Sequence, residues 1–296
     1  FVMMYMDYAS LFAEMGVEFD TMEELVELSD TPQAGEPFPL GLVIGAPFII
    51  GGSRYLDETP ITKSNVGYDF TSVDAGLKSF WGPPRNIVAA AGSFDPGATK
   101  EALSDQSEWP AWAVEEYTAE DYNGVTVHSW GSGYEIHLND MLVPPDADEL
   151  GRAAPIAVTE KFLLSDASAD DIKLMVDALQ GKTQSLADLT EYAEVAEALA
   201  REDINRTLIG DASIANQILH LDTSDKPELK ESIENDLGPL MKKFLTFGTA
   251  AGTDDEKGSY VLVVLYHEKS ELAQQNVSIF KDRLETGISP TTGEPW

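Results

Sequence analysis

"MKKFLTFGTAAGTDDEKGSYVLVVLYHEKSELAQQNV", residues 241–277, holds two kinds of grammar in one stretch. Two apolar runs flank a polar turn at Thr253–Ser259, which reads as a pair of antiparallel strands. The second run ends at His267, and Glu268 or Ser270 then supplies the side-chain oxygen that opens a helix. A strand followed by a cap and a helix recurs along the chain. It is present in "FVMMYMDYASLFAEM" (1–15), "NIVAAAGSFDPGATKEAL" (86–103), "KFLLSDASADDIKLMVDAL" (161–179) and "RTLIGDASIANQIL" (206–219).

In each unit an apolar run of about five to eight residues predicts a mostly buried strand. Asp7, Asp95, Asp166 (or Ser165) and Asp211 then stand where a carboxylate accepts from the free N–H groups of a helix's first turn. Pro96 suits the first helical position, because its missing donor would be unbonded there anyway. Ile172, Met175, Val176 and Leu179 recur at helical spacing. Further helices are predicted over 20–29, over 185–200 with Ser185 as its cap, and over 226–237. Alternation in "GVTVHSWGSGYEIHLN" (124–139) predicts a hairpin around Gly131-Ser132-Gly133, and a strand is predicted over 156–164.

The pattern predicts an α+β fold of two related subdomains, each a mostly antiparallel sheet covered by helices and built from strand–cap–helix units. The first subdomain spans 1–145 and carries an irregular loop, rich in Pro and Gly, at 29–62. The second spans 155–296, and the acidic, Pro-bearing segment 141–155 connects them.

Composition bears on the setting. The 296 residues include 12 Phe, 10 Tyr and 5 Trp and are 43% hydrophobic, ample for a packed core. Against 52 acidic side chains stand 19 basic ones, a net charge of −33, and such a surface repels phosphate backbones. Nucleic acid is therefore excluded as a partner. Lys outnumbers Arg by 13 to 6, which favours an extracellular setting over salt adaptation. Cysteine is absent, so thiolate metal sites, disulfides and cysteine nucleophiles are excluded in this chain. Asn205-Arg206-Thr207 and Asn276-Val277-Ser278 match the glycosylation acceptor pattern. No run reaches the roughly 18 apolar residues of a membrane-spanning helix. Phe1 opens inside a strand-like run, which fits a mature or trimmed chain with an upstream lipid or membrane anchor.

One resemblance is wider than any single motif. "VGYDFTSVDAGLKSFWGPPRNIVAAAGSFDPGATKEAL", then "YNGVTVHSW", then "FLLSDASADDIKLMVDALQGKTQSLADLTEYAEVAEAL" and the closing "RLETGISPTTGEPW" resemble uncharacterised exported bacterial proteins, many of them lipoprotein-like. Gly67-Tyr68-Asp69 before Val73-Asp74, and Gly181 before Ser185-Leu186-Ala187-Asp188, carry the likeness. It implies an exported, anchored surface protein and supplies no catalytic residues.

Motifs of chemistry are sparse. The strand–helix turns lack Gly-x-Gly-x-x-Gly and the phosphate-loop pattern, and their aspartates would repel the phosphate that helix amides attract. Trp130-Gly131-Ser132-Gly133 has the wrong spacing for a nucleophile elbow and reads as a turn. The histidines are His128, His137, His220 and His267. Of these, His128 and His137 could meet across the predicted hairpin and, with Glu135, form a weak divalent-metal site. "DADE" (146–149), "SDASADD" (165–171) and "TDDEKGS" (253–259) crowd carboxylates that could bind Ca2+ weakly, though none is an EF-hand loop. Phe80-Trp81 and Trp109-Pro110-Ala111-Trp112 concentrate aromatics, so Phe80, Trp81, Trp109 and Trp112 are the candidate surface for a ligand or partner, together with loop 29–62.

These features predict a non-enzymatic exported or cell-surface protein acting by binding or assembly, with a protein partner or copies of itself and no cofactor. A secreted carboxylate-dependent hydrolase and a calcium-stabilised surface-layer or filament subunit are the alternatives.

Overall fold

The computed structural model describes residues 2–16, 18–21, 24, 66–80, 86–140, 151–200, 204, 206–212, 228, 231, 234, 239–254 and 258–286. The chain divides into one compact unit of Met4–Ser185 and another of Leu186–Trp296 with Phe1–Met3. Loop 29–62 and most of the helices predicted over 20–29 and 226–237 lie outside the described residues. The α+β class holds: each unit carries helices on antiparallel strands.

Strand β1 (Val2–Asp7) runs into helix α1 (Tyr8–Met15). The turn between them is local chemistry. Asp7 stays extended and accepts from the Ser10 N–H at 2.9 Å, while Gly16 ends the helix in the left-handed region, φ 62°. A 3-10 turn at Phe70–Ser72 leads into β2 (Val73–Phe80), which pairs with β3 (Asn86–Gly92). Asp95 then caps α2 (Pro96–Ala102), accepting from Gly97 N–H at 2.8 Å, with Pro96 in the first position. Helix α3 (Ala111–Glu116) and strands β4 (Thr118–Tyr122) and β5 (Val125–Ser129) follow.

The predicted hairpin over 124–139 is corrected. Strand β5 pairs instead with β4 through Asn123-Gly124, both at positive φ (55° and 82°). That turn twists the way two antiparallel strands need. Residues 134–139 form no strand. Gly133 is small for a different reason: its N–H reaches Ala167 O at 2.7 Å, and a Cβ there would meet Ala167 and Ala153 backbone atoms at 2.9–3.0 Å.

The strand predicted over 156–164 is two strands, β6 (Ile156–Val158) and β7 (Phe162–Ser165). Thr159 reverses the chain between them, its hydroxyl oxygen accepting from Phe162 N–H at 2.9 Å. Helix α4 (Ala169–Leu179) is capped by Ser168 and not by Asp166. The Ser168 hydroxyl accepts from Asp171 N–H and donates to the Asp171 carboxylate, a reciprocal cap at the three-residue spacing a short side chain can span. Asp166 is buried, with Oδ1 2.6 Å from Ala167 N.

The first unit's strands run in the order β2-β3-β7-β6-β5-β4, every neighbour antiparallel. This order explains where the chain divides. The segment 141–155 has the composition of a linker, yet the strands on its two sides, β5 and β6, pair with each other. The division falls at 185/186. Both sheet faces are covered. Ile156, Val158 and Leu163 join Leu103, Trp109 and Trp130 in one core, while Ala157 and Leu164 meet Ile172 and Val176 of α4 in another. Burial on both faces is why these strands read as continuous apolar runs.

In the second unit a 3-10 turn at Leu186–Asp188 precedes α5 (Thr190–Leu199). The single helix predicted over 185–200 is thus interrupted, and Leu189, with no side-chain bond to give, stands at the N-cap of α5. Strands β8 (Arg206–Asp211), β9 (Thr246–Asp254) and β10 (Gly258–Tyr266) form an antiparallel run, and α6 (Ser270–Thr286) closes it. Asp211 ends β8; the helix it was read as capping lies outside the described residues beyond Ala212. Leu262, Val264 and Tyr266 pack with Ile209 and Ala250 beneath Val195 and Leu199 of α5.

Candidate functional site

The sequence's aromatic concentration becomes one cluster in the first unit. Pro110, at φ −66°, starts the six-residue helix α3. Trp109 is only 9% exposed, edge-to-face with Tyr117 (5.3 Å) and Trp130 (6.1 Å). Trp130 is fully buried. Trp109 therefore fills the core and offers no face to a ligand. Trp112 is half-buried, stacked on the His137 ring at 4.0 Å and nearly parallel to it, with its indole N–H donating to Asp140 Oδ2 at 3.1 Å. Phe80 is the last residue of β2, and Trp81 lies outside the described residues.

The three residues read as a metal site fall apart into two settings. His128 lies on β5, 3% exposed, its Nδ1 bonded to the Tyr117 hydroxyl at 3.1 Å with the two rings stacked. Burial, seconded by the charge of Lys100, lowers the His128 pKa and favours the neutral ring. Burial also raises the Tyr117 pKa. His137 instead meets Trp112 and stands 4.0 Å from the Glu135 carboxylate. Among the described residues, no three His, Asp or Glu side chains are grouped to hold a metal ion. His220 lies outside the described residues.

An open depression of about 510 Å³ is lined by Gly92, Ser93, Phe94, Asp95, Pro96, Glu160 and Lys161. It holds two carboxylates distant in sequence, the arrangement a hydrolase would need. Asp95 is already engaged by the first turn of α2, and both acids are exposed. Ser132 accepts from Tyr134 N–H at 3.2 Å, as a turn residue does.

Two features were missed in the sequence. The first is a polar joint in the second unit. Asn276 of α6 is 2% exposed; its Oδ1 accepts from Lys242 N–H at 2.5 Å and its Nδ2 donates to Lys242 O at 2.8 Å and to His267 Nε2 at 2.7 Å. The His267 Nδ1 meets Leu265 O at 3.1 Å, and these partners select the tautomer with the proton on Nδ1. The acceptor motif at Asn276 is thereby closed to glycosylation, since its amide is buried and bonded. The second feature is apolar exposure. Val277, Phe280 and Leu284 repeat at helical spacing on α6, and Val261 and Val263 stand out from β10. Spacing alone could have flagged the α6 stripe, but not that it faces water.

No family model matches the chain, and no curated protein matches it. Among solved structures, crystal form I of TP0453 aligns with 97% of this chain and 83% of its own, at 9% identity and a TM-score of 0.39. That likeness is too remote to carry fold or activity across. Among the described residues no helix is long and apolar enough to cross a membrane.

Proposed function

We propose that this chain is a non-enzymatic exported or cell-surface protein that acts by binding or assembly. One observation carries the reading: a chain of net charge −33 leaves Val261 73% and Val277 69% exposed, with Val263, Phe280 and Leu284 also exposed in the same unit. Large exposed apolar side chains on so charged a surface serve contact with another macromolecule. The acidic balance supports a setting outside the cell, and an anchored protein would hold such a surface toward its neighbours. Cell fractionation with surface proteolysis tests location, and crosslinking in intact cells identifies the neighbours. Recovery of the native protein solely from washed cytosol would overturn the surface reading.

A further inference from the structure

From the edge chemistry of β10, we infer that two copies of this chain pair through this strand, side by side and antiparallel. The inference deepens the assembly reading above and rests on it. Among the described residues β10 is laddered on one side to β9, in a continuous register from Gly258↔Asp254 to Tyr266↔Thr246, and stands last in the strand order. A strand in that position presents a row of backbone donors and acceptors on its outer side, and their natural partner is another extended strand.

The outermost strands of the two units differ in chemistry. Strand β4, last in the first unit's order, is TAEDY, nearly all exposed, with Glu120 and Asp121 in its middle and Lys173 paired to Glu120 at 2.7 Å. Charges of that kind are how edges discourage pairing. Strand β10 is GSYVLVVLY, nine residues without a charge or a proline, in a chain of net charge −33. Two acidic surfaces repel, so two copies meet more readily along a strand that carries no charge than along one like β4.

The strand also fits itself. Its midpoint is Leu262, and an antiparallel copy in full overlap sets Leu262 against Leu262, Tyr260 against Val264 and Val261 against Val263. These are aromatic and β-branched cross-strand pairs, among the more favourable kinds. One face of β10 is already engaged, with Leu262, Val264 and Tyr266 packed beneath α5. Val261 and Val263, on the other face, are exposed and would gain cover from the partner strand.

The full chain in about 0.5 M salt, where long-range repulsion is screened, is examined by sedimentation velocity up to about 100 μM. Dimers are expected. The double substitution V261K/V263K places like charges on adjacent cross-strand pairs and weakens dimerisation about 100-fold. Circular dichroism verifies that the variant stays folded. Because the chain has no cysteine, mixing V261C and V263C proteins under oxidation offers an independent readout, with disulfide-linked heterodimers expected. A V277C control on α6 should crosslink poorly. A wild-type chain that stays monomeric, a V261K/V263K dimer as tight as wild type, or crosslinks confined to Val277→Cys would overturn the proposal. A monomer that captures a foreign extended peptide would overturn it too, in favour of a heterologous strand. Location is measured separately by fractionation, so failure of self-pairing is distinguishable from failure of the surface reading.

Discussion

Replacing Asn276 with alanine should cost the second unit about 2–3 kcal/mol. One side chain makes three bonds, two of them to the backbone of Lys242 and one to His267 Nε2. Each contributes about 1 kcal/mol net, and truncation leaves partly buried partners unpaired. Urea unfolding followed by circular dichroism, with hydrogen exchange across 258–286, reads the loss. Asn276→Asp separates bonding from packing. In the wild type, burial lowers the His267 pKa from 6.5, so the unfolded chain takes the proton more readily. The wild type therefore keeps this contribution above about pH 6.5 and loses it as pH falls. A carboxylate beside Nε2 favours the imidazolium and raises the folded pKa above the unfolded one. That contribution is present below about pH 6.5 and disappears as pH rises through the folded value. The stability gap between wild type and Asn276→Asp should thus narrow toward pH 5 and widen toward pH 8. A gap independent of pH, or an alanine variant within about 0.5 kcal/mol of wild type, would refute the reasoning.

Ile172→Ala should destabilise the first unit by about 2–5 kcal/mol, since Ile172 is fully buried between α4 and the sheet; chemical denaturation measures it. Gly133→Ala drives a methyl against the backbone of Ala167 and Ala153 and should cost about 1–3 kcal/mol by the same assay, whereas an alanine at Gly181, with open space around its Cβ, meets only its own strained φ. His128 is neutral in its buried pair with Tyr117, so stability should fall as pH drops below about 6.5. His128→Gln, which cannot gain that proton, should flatten the acid limb of a Tm-against-pH profile. An unchanged limb would count against the burial of this ring.

Much of the local architecture is legible without a structure, because it depends on groups a few residues apart. Asp7 reaches Ser10 and Asp95 reaches Gly97 across one helical turn, whatever the rest of the chain does. The β9–β10 pair follows from two apolar runs joined by a short polar turn. The errors arise where a local pattern admits two answers. Gly131-Ser132-Gly133 is as permissive for a close backbone crossing as for a hairpin, and only the contact with Ala167 decides between them. Asp166 and Ser168 are both fair caps, and burial of Asp166 beside Ala167 leaves the helix to start after Ser168.

The candidate site depended still more on tertiary contact. Trp109 and Trp112 lie three residues apart and look equivalent in sequence. One is enclosed by Tyr117 and Trp130, and the other is covered by His137 on a segment 25 residues away. Asn276 matches a surface glycosylation signal until Lys242 and His267 are brought against it. Residue types and their spacing were enough to determine the strongly negative charge, the absence of thiol chemistry and the α+β character. The strand order, the division at 185/186 and the exposure of Val261 were decided only in the folded chain. Each depends on which distant segment occupies the neighbouring space, and that is a property of packing that no local stretch encodes.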